Sequence, residues 1–279
     1  MTNAYEWTGT VGRSWADEWQ RTDRSFTELT QRLLARIAPL PGDRVLDIGC
    51  GAGELALSIA QARPASKVLG ADISIDLVDA ARSRAVGLVN ACFTAADVSA
   101  CSDSAYIPDL LVSRHGVMFF DDPVATFRHL RGASSPGARL VFSCFGPFAD
   151  NAWASELAST IASAEAAAFT DPHAPGPFAF ADPLRVRAIL EAAGWSEIVC
   201  EPERFTYIAG AGHDPVAEAL AFFRRIGPAA PRLRALPEAE RAGAESALRA
   251  LLERRRVGNR VCFDAMAWIV SARAPGEQY

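Results

Sequence analysis

The sequence predicts an α/β fold in which a mostly parallel sheet is covered by helices on both faces. Between residues 44 and 145, short apolar segments alternate with segments that show the helical spacing of hydrophobic residues. The apolar segments are continuously hydrophobic, as expected of strands buried on both sides of a parallel sheet. Half of the 279 residues are hydrophobic, so the chain can bury a large core without disulfides or metal ions.

This first part of the chain contains five predicted strands and the helices between them. The strands are expected at Arg44–Ile48, Lys67–Ala71, Ala91–Ala95, Asp109–Ser113 and Arg139–Phe145. Helices are expected at Trp15–Ile37, Leu55–Ala62, Ile75–Ala85 and after the pair Asp122-Pro123, where an N-cap residue precedes a proline. Such an alternation is typical of a parallel sheet with helical crossovers.

The pattern changes after Phe145. Helices are expected at Ala152–Phe169 and from Asp182-Pro183 to Gly194, and strands at Ile198–Ile208 and Val261–Ala272. A long helical segment separates these two strands, which can form an antiparallel edge on the same sheet. We predict one domain, residues 1–279, with an N-terminal lid at 1–40 and helical cap insertions at 151–181 and 215–256.

Composition and charge argue against several classes of protein. The net charge is −5, and phosphate binding usually requires a clustered basic face, so no nucleic-acid partner is expected. The six cysteines are scattered without a Cys-x-x-Cys pair, which predicts reduced thiols and no metal site. Neither a signal peptide nor an apolar run of about 20 residues is apparent, so we expect a cytoplasmic protein without a membrane partner.

A glycine-rich turn joins the first predicted strand to the helix that follows it. Asp47 lies in the strand, and Gly49, Gly51 and Gly53 come after it. Glycines permit positive φ angles and let a ligand approach the backbone closely. The following helix presents free N–H groups and the positive end of its dipole. Together these features predict a nucleotide-like ligand at the strand–helix crossover.

The residue after this turn bears on the identity of the ligand. The dinucleotide fingerprint G-x-G-x-x-G requires glycine at position 54, where this sequence has Glu54. A carboxylate is unfavourable beside a pyrophosphate, whereas S-adenosylmethionine carries a sulfonium and an ammonium group and no phosphate. A P-loop is excluded because no Gly-Lys-Ser/Thr follows. The turn, with Asp47 nearby, therefore favours S-adenosylmethionine.

Two more acids stand at the ends of predicted strands. Asp72 ends the second strand, 23 residues beyond Gly49, a spacing suited to accepting both ribose hydroxyls. Its alternative role is an N-cap for the next helix, which Ser74 can also provide. Asp97 follows the third strand and can accept a hydrogen bond from an adenine amine, or it can be an ordinary loop residue.

Four motifs together resemble the class I S-adenosylmethionine-dependent methyltransferases. They are Val45-Leu-Asp-Ile-Gly-Cys-Gly-Ala-Gly53, Gly-Ala-Asp72, Ala-Asp97-Val and Ser-Pro-Gly-Ala-Arg139-Leu. The resemblance extends from about Trp7 to Phe145, and the first motif is the specific one. Two later stretches are similar to a bacterial small-molecule branch related to the ubiquinone-biosynthesis type: Pro-Gly-Pro-Phe-Ala-Phe-Ala-Asp-Pro183 and Ala-Met-Ala-Trp-Ile-Val-Ser-Ala-Arg273.

The resemblance implies a Rossmann-like, seven-stranded sheet whose last strand is antiparallel. It also implies a cofactor site with glycines along the methionine part, one acid at the ribose and one at the adenine. These positions are Gly49, Gly51 and Gly53, then Asp72, then Asp97 with Val98. Four neighbouring residues are included in the predicted cofactor site: Asp47, Cys50, Ile73 and Ser113.

His115 follows the fourth predicted strand, at a turn that in the resembling branch borders the methyl group and the substrate. An aromatic residue is common at this position, so the histidine is a departure. One interpretation is a general base, because a neutral imidazole accepts a proton near neutral pH. The other is a ring that packs against the cofactor as phenylalanine would. His115 is therefore the candidate catalytic residue and a candidate substrate contact.

Aromatic residues of the predicted lid and cap are candidate walls of the substrate pocket. They are Trp7, Trp15, Phe148, Phe178 and Phe180. Ordinary core packing is the alternative for each of them, because aromatic side chains dominate protein cores as well as ligand sites.

The predicted function is transfer of a methyl group from S-adenosylmethionine to a small molecule by in-line displacement. This reaction requires alignment and exclusion of water more than it requires a dedicated base. Three different functions also fit the sequence: a nicotinamide-dependent oxidoreductase, a catalytically idle cofactor-binding relative, and an enzyme that uses the cofactor for another reaction. Oxygen, nitrogen, carbon and sulfur acceptors all remain open, and a homodimer is the assembly considered.

Overall fold

The computed structural model describes residues 4–100, 106–161, 173–227 and 229–276. In these ranges eight strands form one sheet: β1 (Arg44–Ile48), β2 (Lys67–Asp72), β3 (Ala91–Ala95), β4 (Leu110–Arg114), β5 (Arg139–Phe145), β6 (Ser196–Ala211), β7 (Arg256–Val257) and β8 (Arg260–Arg273). The order across the sheet is β3-β2-β1-β4-β5-β8-β6, and β7 pairs only with β8. Strands β1 to β5 run parallel, whereas β8 is antiparallel to both β5 and β6.

The sheet confirms the predicted α/β class and differs from the prediction by one short strand. The seven long strands form a mostly parallel sheet in which the last strand of the chain is antiparallel, as expected. The eighth, β7, has two residues and pairs with the beginning of β8. Gly258 lies in the tight turn between them with φ +60°, a conformation that favours glycine.

Eleven α-helices surround the sheet in the described ranges. They are α1 (Ala4–Trp7), α2 (Thr10–Asp17), α3 (Trp19–Ile37), α4 (Glu54–Ala62), α5 (Ile75–Arg84), α6 (Pro123–Gly132), α7 (Ala152–Thr160), α8 (Pro183–Ala192), α9 (Pro215–Phe223), α10 (Ala229–Ala235) and α11 (Glu238–Arg254). Single 3₁₀ turns follow β4 at Gly116–Phe119 and β5 at Phe148–Asp150. The Asp122-Pro123 and Asp182-Pro183 pairs start α6 and α8 as predicted, each with the aspartate as N-cap.

The N-terminal region differs from the single helix predicted at Trp15–Ile37. The helix is interrupted at Glu18, which has φ −101° and ψ +15°, so that α2 and α3 are separate. Helix α3 packs against β5 and β6, and its residues Leu29, Leu33 and Ile37 are buried in the core. This part of the predicted lid is therefore also part of the helical layer that covers the sheet.

A close helix contact holds the N-terminal segment in place. A Cβ atom on Gly12 in α2 would lie 2.1 Å from the Trp7 carbonyl oxygen and 2.2 Å from the Ser74 Oγ. A larger residue would therefore push α2 away from α5. Trp7 packs against Trp15 and Phe119, with ring centroids 5.6 and 5.0 Å apart. The segment is thus held both to α5 and to the turn after β4.

Ion pairs connect the helices after β6 to the N-terminal helices. Glu218 in α9 accepts hydrogen bonds from Arg24 at 2.7 Å and from Arg21 at 3.3 Å, both in α3. Arg225, just after α9, donates to the buried Glu18 at 2.8 Å. These contacts join segments that are about 200 residues apart in the sequence.

The structure describes the two predicted insertions to different extents. The alanine-rich helix expected at Ala152–Phe169 begins as α7, which ends at Thr160, and residues 162–172 lie outside the described ranges. Helices α9, α10 and α11 occupy the insertion predicted at 215–256. None of the described helices has both the length and the apolar character required to cross a bilayer.

The register of the parallel strands brings their carboxyl ends to one edge of the sheet. Ile48 in β1 pairs with Ala71 in β2, and Asp72 in β2 pairs with Ala95 in β3. The strand order reverses between β1 and β4. Parallel α/β sheets bind ligands at such a reversal, outside the carboxyl ends of the strands.

Candidate active site

A cavity of about 460 Å³ opens at this edge of the sheet. We distinguish two halves by their lining residues. The acidic half is formed by the turns after β1, β2 and β3 and consists of Asp47, Gly49, Cys50, Gly51, Asp72, Ile73, Asp97 and Val98. The aromatic half is formed by more distant parts of the chain and consists of Phe26, His115, Phe145, Trp153 and Tyr207.

The glycine turn has the backbone conformation that its sequence predicts. Gly49, Gly51 and Gly53 have φ angles of +62°, +54° and +86°, in the left-handed region that favours glycine. A Cβ atom on Gly49 would lie 2.8 Å from the Gly116 Cα, so this turn touches the turn after β4. A Cβ atom on Gly51 would meet nothing within 4 Å, so the backbone there faces open space.

Two predicted cofactor residues shape the turns without lining the cavity. A Cβ atom on Gly53 would lie 3.0 Å from the Phe93 ring, so this glycine permits helix packing. The buried Ser113 hydroxyl donates to the Ile48 carbonyl at 2.7 Å and accepts from the Gly116 N–H at 3.1 Å. Neither Gly53 nor Ser113 is among the lining residues in the described part of the chain.

Asp47 is a buried acid with an unsatisfied oxygen. It is 1% exposed. Its Oδ2 accepts a hydrogen bond from the Ala56 N–H at 3.1 Å, and its Oδ1 has no partner among the described residues. Burial raises the pKa of Asp47 to about 7, although the charge of Arg114 and the Ala56 hydrogen bond act in the opposite direction. A buried carboxyl group with a missing partner fits a cationic ligand.

Asp72 supports the glycine turn and also lines the cavity. Its two oxygens accept hydrogen bonds from the Gly51 N–H and the Ser74 N–H, each at 2.9 Å. Burial raises the pKa of Asp72, and these hydrogen bonds oppose the increase. Ser74 itself is the N-cap of α5. Because a carboxylate has about four acceptor positions, Asp72 can accept further hydrogen bonds from a ligand.

The remaining residues of the acidic half lie in short turns beside these acids. Asp97 accepts a hydrogen bond from the Ser99 N–H at 2.8 Å, which forms a tight turn after β3. Burial raises the pKa of the Cys50 thiol well above its usual value, so this group stays neutral. In the ranges that the structure describes, no group of three or more His, Cys, Asp or Glu side chains is placed to hold a metal ion.

Arg114 is a cavity residue that local sequence patterns do not reveal. At the end of β4, it donates to the Thr30 hydroxyl at 2.9 Å and pairs with Asp23 at 3.4 Å and with Glu54. Asp23 also pairs with Arg84 at 2.7 Å. Two carboxylates therefore balance the charge of Arg114. One of them is Glu54, the residue that departs from the dinucleotide fingerprint.

His115 lies in a constrained position beside the glycine turn. Its φ of +65° is in the left-handed region, and its neighbour Gly116 is the residue that touches Gly49. The imidazole stacks on Phe145 with ring centroids 4.0 Å apart. Neither ring nitrogen has a partner among the described residues. Burial, reinforced by the charge of Arg114, holds the pKa of His115 well below its usual value, so the imidazole is neutral.

The other rings of the aromatic half form a connected set. The Phe26 centroid lies 5.1 Å from that of His115 and 5.4 Å from that of Tyr207. The Trp153 ring lies 4.9 Å from Phe145 and is stacked on Tyr207 at 5.1 Å. These rings therefore form a continuous apolar wall next to the imidazole.

The structure places only some of the predicted wall residues at the cavity. Trp7 and Trp15 line it. Phe180 does not, because it is 1% exposed and packs against Phe127 and Phe142, with ring centroids 6.3 and 6.4 Å apart. The loop that carries Phe180 inserts this side chain into the core, so a core role replaces the expected substrate contact.

Phe148 and Phe178 are also absent from the described lining. Phe178 stacks against Trp153 at 6.1 Å, and Phe148 packs edge-on against Phe178 at 5.2 Å. Phe178 therefore supports the wall residue Trp153 from behind, and Phe148 packs behind Phe178.

Four residues of the aromatic half were not predicted from the sequence: Phe26, Phe145, Trp153 and Tyr207. They lie in α3, β5, α7 and β6. Each belongs to a pattern of buried hydrophobic residues, and no local signal separates a cavity wall from core packing. Phe145 carries the nearest signal of a cavity wall, because it is an aromatic residue at the carboxyl end of a parallel strand.

Comparison with known proteins identifies the family. A family model described as a methyltransferase domain matches residues 19–200, more than half of the chain. Trans-aconitate 2-methyltransferase of Variovorax paradoxus is 32% identical over 123 residues, 44% of this chain and 46% of the relative. Aklanonic acid methyltransferase DauC of a Streptomyces species is 31% identical over 121 residues, 42% of this chain and 55% of the relative. The chain thus spans about half of the length of these curated relatives.

Solved structures show the same fold at low sequence identity. Phosphoethanolamine N-methyltransferase 2 of Haemonchus contortus in complex with S-adenosyl-L-methionine is 16% identical, with a TM-score of 0.53 over 94% of this chain and 56% of that chain. The [4+2]-cyclase SpnF is 20% identical, with a TM-score of 0.52 over 90% of this chain and 82% of that chain.

The family match includes the glycine turn, the strand-end acids and the turn after β4. It agrees with the class I resemblance drawn from the sequence motifs and with the Rossmann-like sheet of the structure. The predicted family, fold class and cofactor are therefore confirmed. This chain belongs to the methyltransferase-domain family.

Proposed function

We propose that this protein transfers a methyl group from S-adenosylmethionine to a small-molecule acceptor. The observation that carries the proposal is the unpaired Oδ1 of buried Asp47, in a half of the cavity that also contains Asp72 and Asp97. A positively charged ligand compensates such a carboxyl group, whereas a pyrophosphate would be repelled by it. S-adenosylmethionine is positively charged at its sulfur and at its amino group.

The acidic half offers residues for each part of this cofactor. Asp47 and the open backbone at Gly51 suit the methionine part, whose amino group is cationic. We assign the ribose to the acid that ends β2 and the adenine to the acid that follows β3. The proposed contacts are Asp47, Gly49, Cys50 and Gly51 for methionine, Asp72 and Ile73 for ribose, and Asp97 and Val98 for adenine, with Gly53 and Ser113 holding the turns in shape.

S-adenosylmethionine supplies a methyl carbon that is activated by the positively charged sulfur. The protein contributes by aligning an acceptor with this carbon and by excluding water. Trp7 and Trp15 enclose the cavity from the N-terminal segment, and Trp153 encloses it from α7. The contact of Trp7 with Phe119 fixes the N-terminal wall to the turn after β4.

Titration calorimetry with S-adenosylhomocysteine and, separately, with NAD⁺ tests the proposal. We expect S-adenosylhomocysteine to bind at least about tenfold more tightly, a difference of about 1.4 kcal/mol. Asp47→Asn keeps the shape of the side chain and removes its charge, so it should weaken this preference. Tight NAD⁺ binding without S-adenosylhomocysteine binding would instead establish an oxidoreductase.

Product analysis separates methyl transfer from cofactor binding without turnover and from a different reaction of the cofactor. We expect S-adenosylhomocysteine and a methylated acceptor in equal amounts. Cofactor binding with no product from a broad acceptor panel would indicate an idle relative, and an unmethylated product would indicate different chemistry. The fold alone does not decide this point, since the similar SpnF structure is that of a [4+2]-cyclase.

The proposal also covers where the protein acts, which partners it has and how it assembles. Scattered cysteines and a net charge of −5 support a cytoplasmic enzyme with a small-molecule partner and without a nucleic-acid or membrane partner. A homodimer is the assembly we propose to test by sedimentation, and a monomer at micromolar concentration would reject it.

A further inference from the structure

We infer that the methyl acceptor is a flat, uncharged aromatic molecule and that its hydroxyl group binds to His115, which takes the hydroxyl proton as the methyl group is transferred. The inference rests on the proposed methyl transfer and specifies its acceptor. Three features of the aromatic half support it: the shape of its wall, the state of its polar atoms and the lack of a free cation among the described lining residues.

The wall suits a planar ring system. Phe145 stacks on His115 with an angle of 14° between the rings, and Trp153 stacks on Tyr207 with an angle of 15°. Phe26 lies 5.9 Å from Phe145 and 5.4 Å from Tyr207, which closes the set. Aromatic side chains favour stacked and edge-on contacts with other rings, so this wall selects a flat aromatic ligand.

His115 is the polar group of the aromatic half that is left without a partner in the described structure. Tyr207 is buried, and its hydroxyl is not among the buried side-chain atoms that lack a partner. Trp153 Nε1 donates to the Asn151 side-chain oxygen at 3.2 Å. Both nitrogens of His115 lack a partner, although the residue is only 8% exposed. A buried polar atom without a partner is costly, and a hydroxyl group on the ligand would remove that cost at the acceptor nitrogen of the ring.

The charges around the cavity exclude an anionic acceptor. Arg114 is the only arginine or lysine among the described lining residues, and it is already paired with Glu54 and Asp23. A carboxylate or phosphate on the acceptor would therefore be buried without a counter-charge, which is strongly unfavourable.

The chemical step balances with these groups alone. The acceptor oxygen forms a bond to the methyl carbon, and its proton passes to the unprotonated nitrogen of His115. The electron pair of the broken carbon–sulfur bond stays on sulfur, so the products are a methyl ether and S-adenosylhomocysteine. The contact between Gly49 and Gly116 places His115 beside the proposed methionine subsite. Because burial keeps the pKa of His115 low, the imidazole starts neutral and returns its proton to solvent afterwards.

Binding of two matched probes tests the contact without turnover. The quantities to measure are the dissociation constants of 2-naphthol and naphthalene, for the wild-type protein and each variant, with S-adenosylhomocysteine present. The wild-type protein should bind 2-naphthol about tenfold more tightly than naphthalene because of the hydroxyl contact. His115→Phe keeps the ring and should reduce this ratio to about one. The same substitution at the exposed His213, His213→Phe, should leave the ratio unchanged.

A second experiment measures methylation of 2-naphthol and compares binding of neutral and anionic probes. Methylation of 2-naphthol should fall about 100-fold or more in His115→Phe, and wild-type protein should bind 2-naphthol more tightly than trans-aconitate, a tricarboxylate. An equal probe ratio in wild type and His115→Phe, or tighter binding of trans-aconitate, would overturn the inference. Failure of the wild-type protein to bind S-adenosylhomocysteine would overturn the proposed function instead. Unchanged S-adenosylhomocysteine binding by His115→Phe shows that this variant is folded.

Discussion

The two halves of the cavity differ in how their residues are distributed along the chain. The acidic half lies between residues 47 and 98, at the ends of three consecutive strands. The aromatic half is assembled from α3, the turn after β4, β5, α7 and β6, between residues 26 and 207. Parallel strands with right-handed crossovers bring their carboxyl ends together as a consequence of topology. The aromatic half forms only when distant elements pack around that edge.

The two halves also differ in the group that each leaves unsatisfied. In the acidic half it is the carboxyl oxygen of Asp47, and in the aromatic half it is the neutral imidazole of His115. An unpaired acid indicates a cationic ligand, whereas an unpaired imidazole indicates a hydroxyl or a similar neutral group. The proposed cofactor subsite and the proposed acceptor subsite therefore differ in chemistry as well as in position.

The largest expected effect is a loss of stability, which tests whether Phe180 is a core residue or part of the wall of the aromatic half. Phe180→Ala should lower the free energy of unfolding by about 3–5 kcal/mol, because it empties a fully buried site between Phe127 and Phe142. Chemical denaturation measures this change. Cofactor affinity of the folded variant should stay close to that of the wild type. If the free energy of unfolding falls by less than about 1 kcal/mol and acceptor binding is lost, Phe180 contacts the acceptor and is not a core residue.

A smaller effect is expected from an acid in the other half. Asp72→Ala should weaken S-adenosylhomocysteine binding by about 1–3 kcal/mol, since it removes the proposed ribose contact and a hydrogen bond that supports the glycine turn. The matched control is Asp182→Ala, which removes the N-cap hydrogen bond of α8 away from the cavity. Calorimetry should show the loss for the first variant only, and equal affinities would reject the ribose assignment.

The pH dependence of cofactor binding reports on Asp47. Its pKa of about 7 in the folded protein lies above the usual value, so the folded state retains a proton that the unfolded chain loses. Its contribution to stability therefore decreases as the pH rises from about 4 to about 7 and changes little above that. A cationic cofactor favours the ionised form, so its affinity should increase with pH over the upper part of this window.

The increase should approach tenfold per pH unit below pH 7 and become level above it. Calorimetric titrations from pH 5.5 to 7.5 measure it, and Asp47→Asn should lack this component. Titration of the ligand itself is common to both proteins, so the difference between their slopes is decisive. Identical slopes of affinity against pH for the two proteins would show that the charge of Asp47 does not contribute to cofactor binding.

The smallest effect concerns the ion pairs that hold the aromatic half together. Glu218→Ala removes one acceptor each of Arg21 and Arg24 and the acceptor of the Ala211 N–H. It should reduce stability by about 1 kcal/mol, because the paired side chains remain partly exposed to solvent. Binding of 2-naphthol should weaken more than binding of S-adenosylhomocysteine. The opposite order would show that the N-terminal helices support the cofactor subsite instead.

The sequence predicted the sheet more accurately than the helices at its margins. Strands β1, β3 and β5 begin and end where their apolar segments do. The central strand β5 shows the reason, since burial on both faces demands a continuous hydrophobic run. The edge strand β3 buries only Phe93. The break at Glu18 was not predictable, since the buried Glu18 side chain is paired with Arg225, 207 residues away. Local spacing of apolar residues contains no information about such a partner.

Within the site, the motif residues were easier to predict than their surroundings. Asp47, Asp72 and Asp97 reach the cavity as expected from their places at strand ends. Gly53 and Ser113 belong to the same motifs, yet they serve packing and a hydrogen bond between turns. Phe180 lies in a suggestive loop and still enters the core, because the direction of an aromatic side chain depends on which neighbours leave room for it.

The sequence by itself determined the fold class, the family and the cofactor, because periodicity and a glycine turn are local properties that a short segment specifies. The tertiary structure alone decided which aromatic residues line the aromatic half, which charges Arg114 balances and why His115 has no partner among the described residues. These features depend on contacts between segments far apart in the chain. A pattern of neighbouring residues cannot encode them, since packing and burial arise only when the whole domain assembles.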